Sequence, residues 1–183
     1  MSTGTPPWVI ESERVLAETR VLTVKERMSR SGRDPSRRAP FVAIDCPDWV
    51  NVIARTEAGD VVLVRQFRHG TQEVTIEIPG GMVDPGEDMV VAGLRELREE
   101  TGFGGGAARL IGIVSPNPAI QTNRCGTVLV DGVRVVGEPE PDPNEEISFE
   151  TRPLEDVLDM IRDGRIRHSL VVAAFQHLAL LER

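Results

Sequence analysis

The amino-acid sequence predicts an α+β fold of mixed α/β/α layering, with a β extension at its N-terminal end. Three observations predict it. Short runs rich in Val and Ile recur along the first three quarters of the chain, as strands do. One amphipathic stretch near the middle carries helix start and stop signals. Two further helical patterns close the chain. Strands surrounding one central helix, with helices last, suggest α+β or mixed α/β layers. The length of 183 residues fits one domain, or one domain with an appendage. The expected division is residues 1–45 as the β extension and 46–183 as the main domain.

Arg14 to Met28 alternates apolar and polar residues in its second half, which reads as strand. Residues 29–40, rich in Arg, Ser, Pro and Gly, read as a loop or hairpin tip. FVAIDC (41–46) and WVNVIAR (49–55) are short β-type runs. TEAGD turns the chain into VVLVRQF, which makes a hairpin. VTIEIPGG, from Val74, is a strand entering a Pro-Gly-Gly loop. Asp84-Pro85-Gly86-Glu87 opens a helical pattern that runs to Thr101, and Gly102 stands where a left-handed C′ residue is expected. GFGGGAAR is a connector, and ARLIGIV and GTVLVDGVRVV are further strands. Residues 137–146 form a Pro- and acid-rich loop before the strand ISFETR. Pro153 to Asp163 is a helix stopped by Gly164. Ser169 is placed to cap the last helix, which carries Leu170, Val171, Ala174, Phe175 and Leu178 at helical spacing.

Composition excludes several classes. The net charge of −8 argues against binding a nucleic acid polymer, which selects a basic surface. It leaves room for a small phosphorylated ligand, because bound divalent cations supply local positive charge. No apolar run reaches the roughly 18 residues of a membrane span, and the first residues lack the basic and apolar regions of a signal peptide. Cys46 and Cys125 make no disulfide framework, which fits a reducing, cytoplasmic compartment.

The central helix holds the sharpest signal. GLRELREETGF (93–103) contains Glu96, Glu99 and Glu100 at i, i+3 and i+4, so they share a face. Val90, Val91, Leu94 and Leu97 gather away from them and are expected to dock the helix on a sheet, with the carboxylates projecting outward. Ala92 and Gly93 are small; a helical glycine costs about 1 kcal/mol against Ala, so they are expected to let a ligand approach the carboxylates. A solvated charged face is the ordinary explanation of such a stretch. A divalent hard cation is the alternative, because Mg²⁺ takes oxygen ligands from carboxylates and substrate phosphate.

Spacing decides between them. Gly81, five residues, Glu87, seven residues, then Arg95-Glu96-Leu97-Arg98-Glu99-Glu100-Thr101-Gly102-Phe103 match the pattern G-x5-E-x7-R-E-U-x-E-E-x-G-U at every specified position, with U apolar. Seven positions are fixed; at roughly 0.07 each, chance agreement at one site is about 10⁻⁸. On these residues the chain resembles the Nudix hydrolase family. The resemblance implies a mixed sheet between helices with the box as loop–helix–loop. It also implies Mg²⁺- or Mn²⁺-dependent hydrolysis of a nucleoside diphosphate linked to another group. Carried over by position, it makes Glu96 and Glu100 metal ligands, with Glu99 a ligand directly or through water. The Gly80 carbonyl is a further ligand, Glu87 supports the site, and Arg95 orients a box glutamate.

The flanks narrow the branch. RQFRHG (65–70) and EIPGGMVDPGE (77–87) resemble the ADP-ribose and nucleoside-diphosphate-sugar pyrophosphatases, which implies that Arg68 and Glu77 lie near substrate. Pro118 stands at the offset past the box where ADP-ribose hydrolases carry a proline, but the surrounding NPAIQTNR departs from their pattern and looks more like a nucleotide-sugar or less characterised subgroup, with GDP-mannose as an example substrate beside ADP-ribose. Asn123 and Arg124 are candidates for the distal sugar or phosphate, and turn structure explains them equally well. The general base is expected to be Glu145 or Glu146 in the acidic loop, with a box glutamate, Glu99, as the alternative. The resemblance implies a homodimer built through the N-terminal strands, with Trp8 and Trp49 in that region packing or stacking on a base. His168 and His177 show no metal-ligand spacing and read as structural. Two other readings stand beside this one: a non-catalytic module binding ADP-ribose-type ligands, and an enzyme clearing nucleoside triphosphates. The intact box glutamates and the long segment before the box argue against each in turn.

Overall fold

The computed structural model describes residues 4–182. They form two compact units: residues 4–47 with 115–123, and residues 48–114 with 124–182. No helix among the described residues is long and apolar enough to cross a membrane.

The first unit is an antiparallel sheet of β1 (Val9–Glu18), β2 (Thr23–Arg30) and β3 (Arg38–Asp45), in that order. β1 was not legible in the sequence: all ten residues are exposed, so no burial imposes an apolar alternation. The expected loop over 29–40 is shorter, since β2 runs to Arg30 and β3 starts at Arg38. Cross-strand ion pairs knit the sheet. Glu13 meets Lys25 and Arg27, and Glu11 meets Arg30 and Arg38. Residues 115–123 join this unit through Ile44, whose N–H donates to the Ile120 carbonyl and whose carbonyl accepts from Thr122.

The second unit contains β4 (Trp49–Thr56), β5 (Val61–Arg68), β6 (Glu73–Glu77), β7 (Gly80–Met82), α1 (Met89–Thr101), β8 (Phe103–Gly104), β9 (Ala107–Val114), β10 (Cys125–Val135), β11 (Ile147–Arg152), α2 (Leu154–Arg162) and α3 (Ser169–Leu181). β4 and β5 pair only at Arg55–Val61 beside their turn. Further along, β6 pairs with β5 and β7 with β4, so the Glu73–Met82 segment fills the opening hairpin like a wedge. β10 lies parallel to β4 while the other ladders are antiparallel, which makes the sheet mixed.

Alternate residues of the central strands feed two apolar layers. On one face Ile53, Leu63 and Leu129 pack with Val157 and Met160 of α2 and Val171, Phe175 and Leu178 of α3. On the other Val50, Val52 and Val128 pack with Ala92 and Leu97 of α1 and with Phe103. Each such buried side chain contributes about 1.5–3 kcal/mol. This is the expected α/β/α layering.

Two local expectations are corrected. Ser169 does not cap α3; His168 occupies the N-cap position and Ser169 is the first helical residue. The docking face of α1 is also different. Ala92, Gly93, Leu97, Glu100 and Thr101 are its buried residues, while Val91 is exposed. Gly93 is pressed against the sheet: a Cβ there would lie 3.1–3.3 Å from methyls of Val50, Val52 and Val128. Its smallness serves close helix–sheet approach, not ligand access, and the approach carries Glu96 and Glu100 inward with it.

Candidate active site

The box loop and helix are fixed at both ends. Asp88 caps α1 by accepting from the N–H groups of Val90 (2.8 Å) and Val91. Gly102 ends it at φ 70°, a left-handed conformation that favours glycine, and donates to the Arg98 carbonyl. β7 places Gly80 and Gly81 alongside the helix, and a Cβ on Gly81 would collide with the Glu96 carboxylate.

Arg95 is the centre of the box. Its guanidinium donates to both carboxylate oxygens of Glu87 (3.1 and 3.0 Å), to Glu96 (2.9 Å), to Glu99 (3.1 Å) and to the Met82 carbonyl (3.0 Å). One planar fork thereby holds three of the four box glutamates and the strand preceding the helix. The Glu87 bond is the main reason that Arg95 holds its proton more tightly than an ordinary arginine, and the same bond holds Glu87 below the usual carboxylate range.

Glu100 is set apart. It is 4 % exposed and accepts one hydrogen bond, from the Gly80 N–H at 3.1 Å. Burial pushes its carboxyl up to about 8, with the charges of Glu96 and Glu145 adding to the effect. Burial also raises Glu96, and the Arg95 contact offsets it only in part. Because Arg95 holds Glu96 and Glu99 while Glu100 turns to Gly80, no three acidic, His or Cys side chains among the described residues already surround one point. The donors nevertheless suit a hard divalent cation. They are carboxylate oxygens, two of them on carboxyls that burial disfavours as anions, and a nearby dication relieves that penalty. Glu96, Glu99, Glu100 and the Gly80 carbonyl are the groups that would hold it.

Beyond the box, Arg68 at the end of β5 makes a bidentate pair with Glu77 at the end of β6 (2.8 and 2.7 Å). Glu77 is 2 % exposed and also accepts from the Thr75 hydroxyl at 2.6 Å. Burial would raise its carboxyl; the Arg68 and Thr75 bonds outweigh that and hold it low. Arg68 is raised mainly by its bonds to Glu77, with Glu100 and Glu145 adding their field. His168 reaches this cluster, its Nδ1 lying 3.4 Å from Glu77 Oε2. The sequence marks His168 only as structural; its contact with Glu77 was not legible, because a contact between distant segments leaves no local spacing signal.

The loop expected to carry the base is anchored to the helix end. The Glu140 N–H donates to the Glu99 carbonyl (2.7 Å), and Gly102 accepts from Val136 and Gly137. Of the two glutamates expected to act as base, Glu145 is half-buried and its charge bears on Glu96, Glu100 and Arg68, whereas Glu146 is exposed. Arg124 is occupied elsewhere. It holds Asp48 with backbone and guanidinium, at 2.7, 3.1 and 2.6 Å. Asn123, in the first unit, is buried with no partner for either side-chain polar atom. Trp8 packs edge-on to Phe41 at 5.1 Å with Arg37 over its ring, and Trp49 is a half-buried β4 residue.

Comparison with known proteins agrees with this geometry. A solved structure described as an ADP compounds hydrolase superposes with a TM-score of 0.85 over 98% of this chain and 96% of its own, at 21% identity, which speaks for the fold. The chain is 30% identical to an ADP-ribose pyrophosphatase of Bacillus subtilis over 137 residues, 74% of each protein. It is 34% identical to the ADP-sugar pyrophosphatase of Mus musculus over 120 residues, 62% of this chain and 55% of that one. Residues 47–175 match the NUDIX domain, and they contain the box helix, its loop and the Arg68–Glu77 pair: the chain belongs to the Nudix family.

Proposed function

We propose that this chain hydrolyses the pyrophosphate bond of a nucleoside diphosphate joined to a sugar, of the ADP-ribose or GDP-mannose kind, giving a nucleoside monophosphate and a sugar phosphate. One observation carries the reading: on the box helix Glu100 is buried and Glu96, one turn before it, is half-buried, and desolvation raises both carboxyls. The relatives named for ADP-ribose and ADP-sugar hydrolysis support the substrate class.

Glu96, Glu99, Glu100 and the Gly80 carbonyl would hold Mg²⁺ or Mn²⁺, which supplies neutralisation of the phosphate charge and acidification of the attacking water. The chain's residues do the remainder. Arg95 orients Glu96 and Glu99 and keeps Glu87 against the box loop. Glu145 takes the water's proton, and its position beside Glu96, Glu100 and Arg68 favours it over Glu146. Arg68 meets a phosphate, its guanidinium partly exposed while Glu77 behind it is buried. The net charge of −8 favours such a small ligand over a nucleic acid. The N-terminal sheet, with Trp8, Ile10, Val15 and Phe41 exposed, pairs with a second copy to give a homodimer that light scattering would register. Two cysteines are too few for a disulfide framework, which suits a reducing, cytoplasmic compartment.

The test is a product screen with Mg²⁺ and, separately, ADP-ribose, GDP-mannose, NADH, diadenosine polyphosphates and nucleoside triphosphates. Release of a nucleoside monophosphate from a nucleotide sugar is expected. Turnover of triphosphates alone, or tight binding without turnover, would refute the reading.

A further inference from the structure

The Glu77 carboxylate has a donor in waiting. Oε1 accepts from Arg68 Nε and the Thr75 hydroxyl, and Oε2 accepts from Arg68 Nη2. The remaining approach to Oε2 is faced by His168 Nδ1, which lies 3.4 Å away, is buried and forms no hydrogen bond. A buried ring nitrogen beside a carboxylate, close but not yet bonded, completes a hydrogen bond with a small turn and approach of the ring. The charged groups around the ring are Glu77 from β6, Arg68 from β5 and the adjoining Arg167, itself paired with Glu73. Arg68 is the exposed member of the pair, at 42% against 3% for Glu77.

A ligand phosphate that draws Arg68 outward removes both guanidinium bonds from Glu77. A buried carboxylate stripped of its cation is strongly disfavoured. Left so, Glu77 would hold Arg68 back and weaken ligand binding. We propose that His168 is a positioning residue, the reserve hydrogen-bond donor to Glu77 that frees Arg68 to turn to an anionic group of the substrate. The inference rests on the reading that Arg68 meets substrate phosphate. Closing from 3.4 Å to a bonding distance needs a shift of only about half an ångström. The ring does not touch the reacting atoms; it acts through Glu77 and Arg68.

Two measurements test it. In kinetics with ADP-ribose and Mg²⁺, His168→Ala is expected to raise KM about tenfold, the weight of one hydrogen bond to a charged group, with a much smaller change in kcat. His168→Asn, which places an amide N–H near the Nδ1 position, is expected to recover most of that loss. Equal KM in His168→Ala and wild type, or no recovery in His168→Asn at matched Tm, overturns the proposal. The second measurement needs no ligand. In the Arg68→Met variant His168 becomes the main donor to Glu77, so a crystal structure of the variant is expected to show the Nδ1–Oε2 separation closed from 3.4 Å to about 2.9 Å. An unchanged separation in the folded variant overturns the exchange. If the wild type hydrolyses no nucleotide sugar, the functional reading fails, and the Arg68→Met structure still decides the His168–Glu77 exchange.

Discussion

Glu100→Gln, in metal-free protein, is the perturbation that best separates a metal site from a charged helix face. The ordinary carboxyl value is 4.5, and burial pushes Glu100 up to about 8. Below 4.5 the group is protonated in folded and unfolded chains alike. Between 4.5 and about 8 the unfolded chain has lost the proton while the folded chain still holds it. A raised folded value therefore contributes stability that is complete at low pH and is lost as pH rises through about 8. Each pH unit in that window is worth about 1.4 kcal/mol, so the loss by about pH 7 is roughly 3 kcal/mol. Glutamine keeps an acceptor for the Gly80 N–H and has nothing to titrate. At this chain length 1 kcal/mol moves Tm by about 2–4 °C. The variant's advantage in Tm, in chelator, should thus grow from near zero at about pH 4.5 to roughly 6–12 °C at about pH 7. Adding Mg²⁺ at about pH 8 should raise the wild-type Tm and leave the variant's nearly unchanged. Calorimetry across the pH series reads both effects. A Tm difference that stays flat with pH would show that Glu100 is not a buried, raised carboxyl, and the metal assignment would fall with it.

Three other outcomes follow from the same geometry. Glu96→Gln should keep the fold by circular dichroism and lose at least about a hundredfold in kcat; near-normal turnover with Mg²⁺ would remove Glu96 from the site. Glu145→Gln should lower kcat about a hundredfold or more with KM little changed, while Glu146→Gln behaves as wild type; equal rates in both variants and the double would return the base to the box. Gly81→Ala sets a Cβ into the Glu96 carboxylate, so it should abolish the Mg²⁺-induced rise in Tm as well as turnover. An unaltered metal response there would mean that β7 yields more easily than a sheet strand should.

The box was legible because its chemistry demands fixed residue types at fixed spacing, and the helix it sits on was legible from the Asp84–Glu87 start signal and Gly102, although the cap itself is Asp88. The docking of that helix was not. A wheel drawn from apolar residues places Val91 inside, yet the tightest contact is made by Gly93, and the inward face carries Glu96 and Glu100. Hydrophobicity is a poor guide where function requires charge to be buried. β1 escaped notice for the opposite reason, since neither of its faces is buried. Asp48 and Arg124, and likewise Glu77 and His168, meet only because distant segments fold together, and one sequence holds no record of that.

The first unit is discontinuous in the chain, since residues 4–47 are completed by residues 115–123. Cutting the polypeptide after Pro47 would strip Ile44 from Ile120 and Thr122, leaving a nine-residue loop without its strand. The extension therefore cannot be removed as a simple tail without exposing the segment it bonds to. A homologue without β1–β3 is expected to join β9 to β10 differently, so the length of that one connection should report whether a homologue carries the N-terminal sheet.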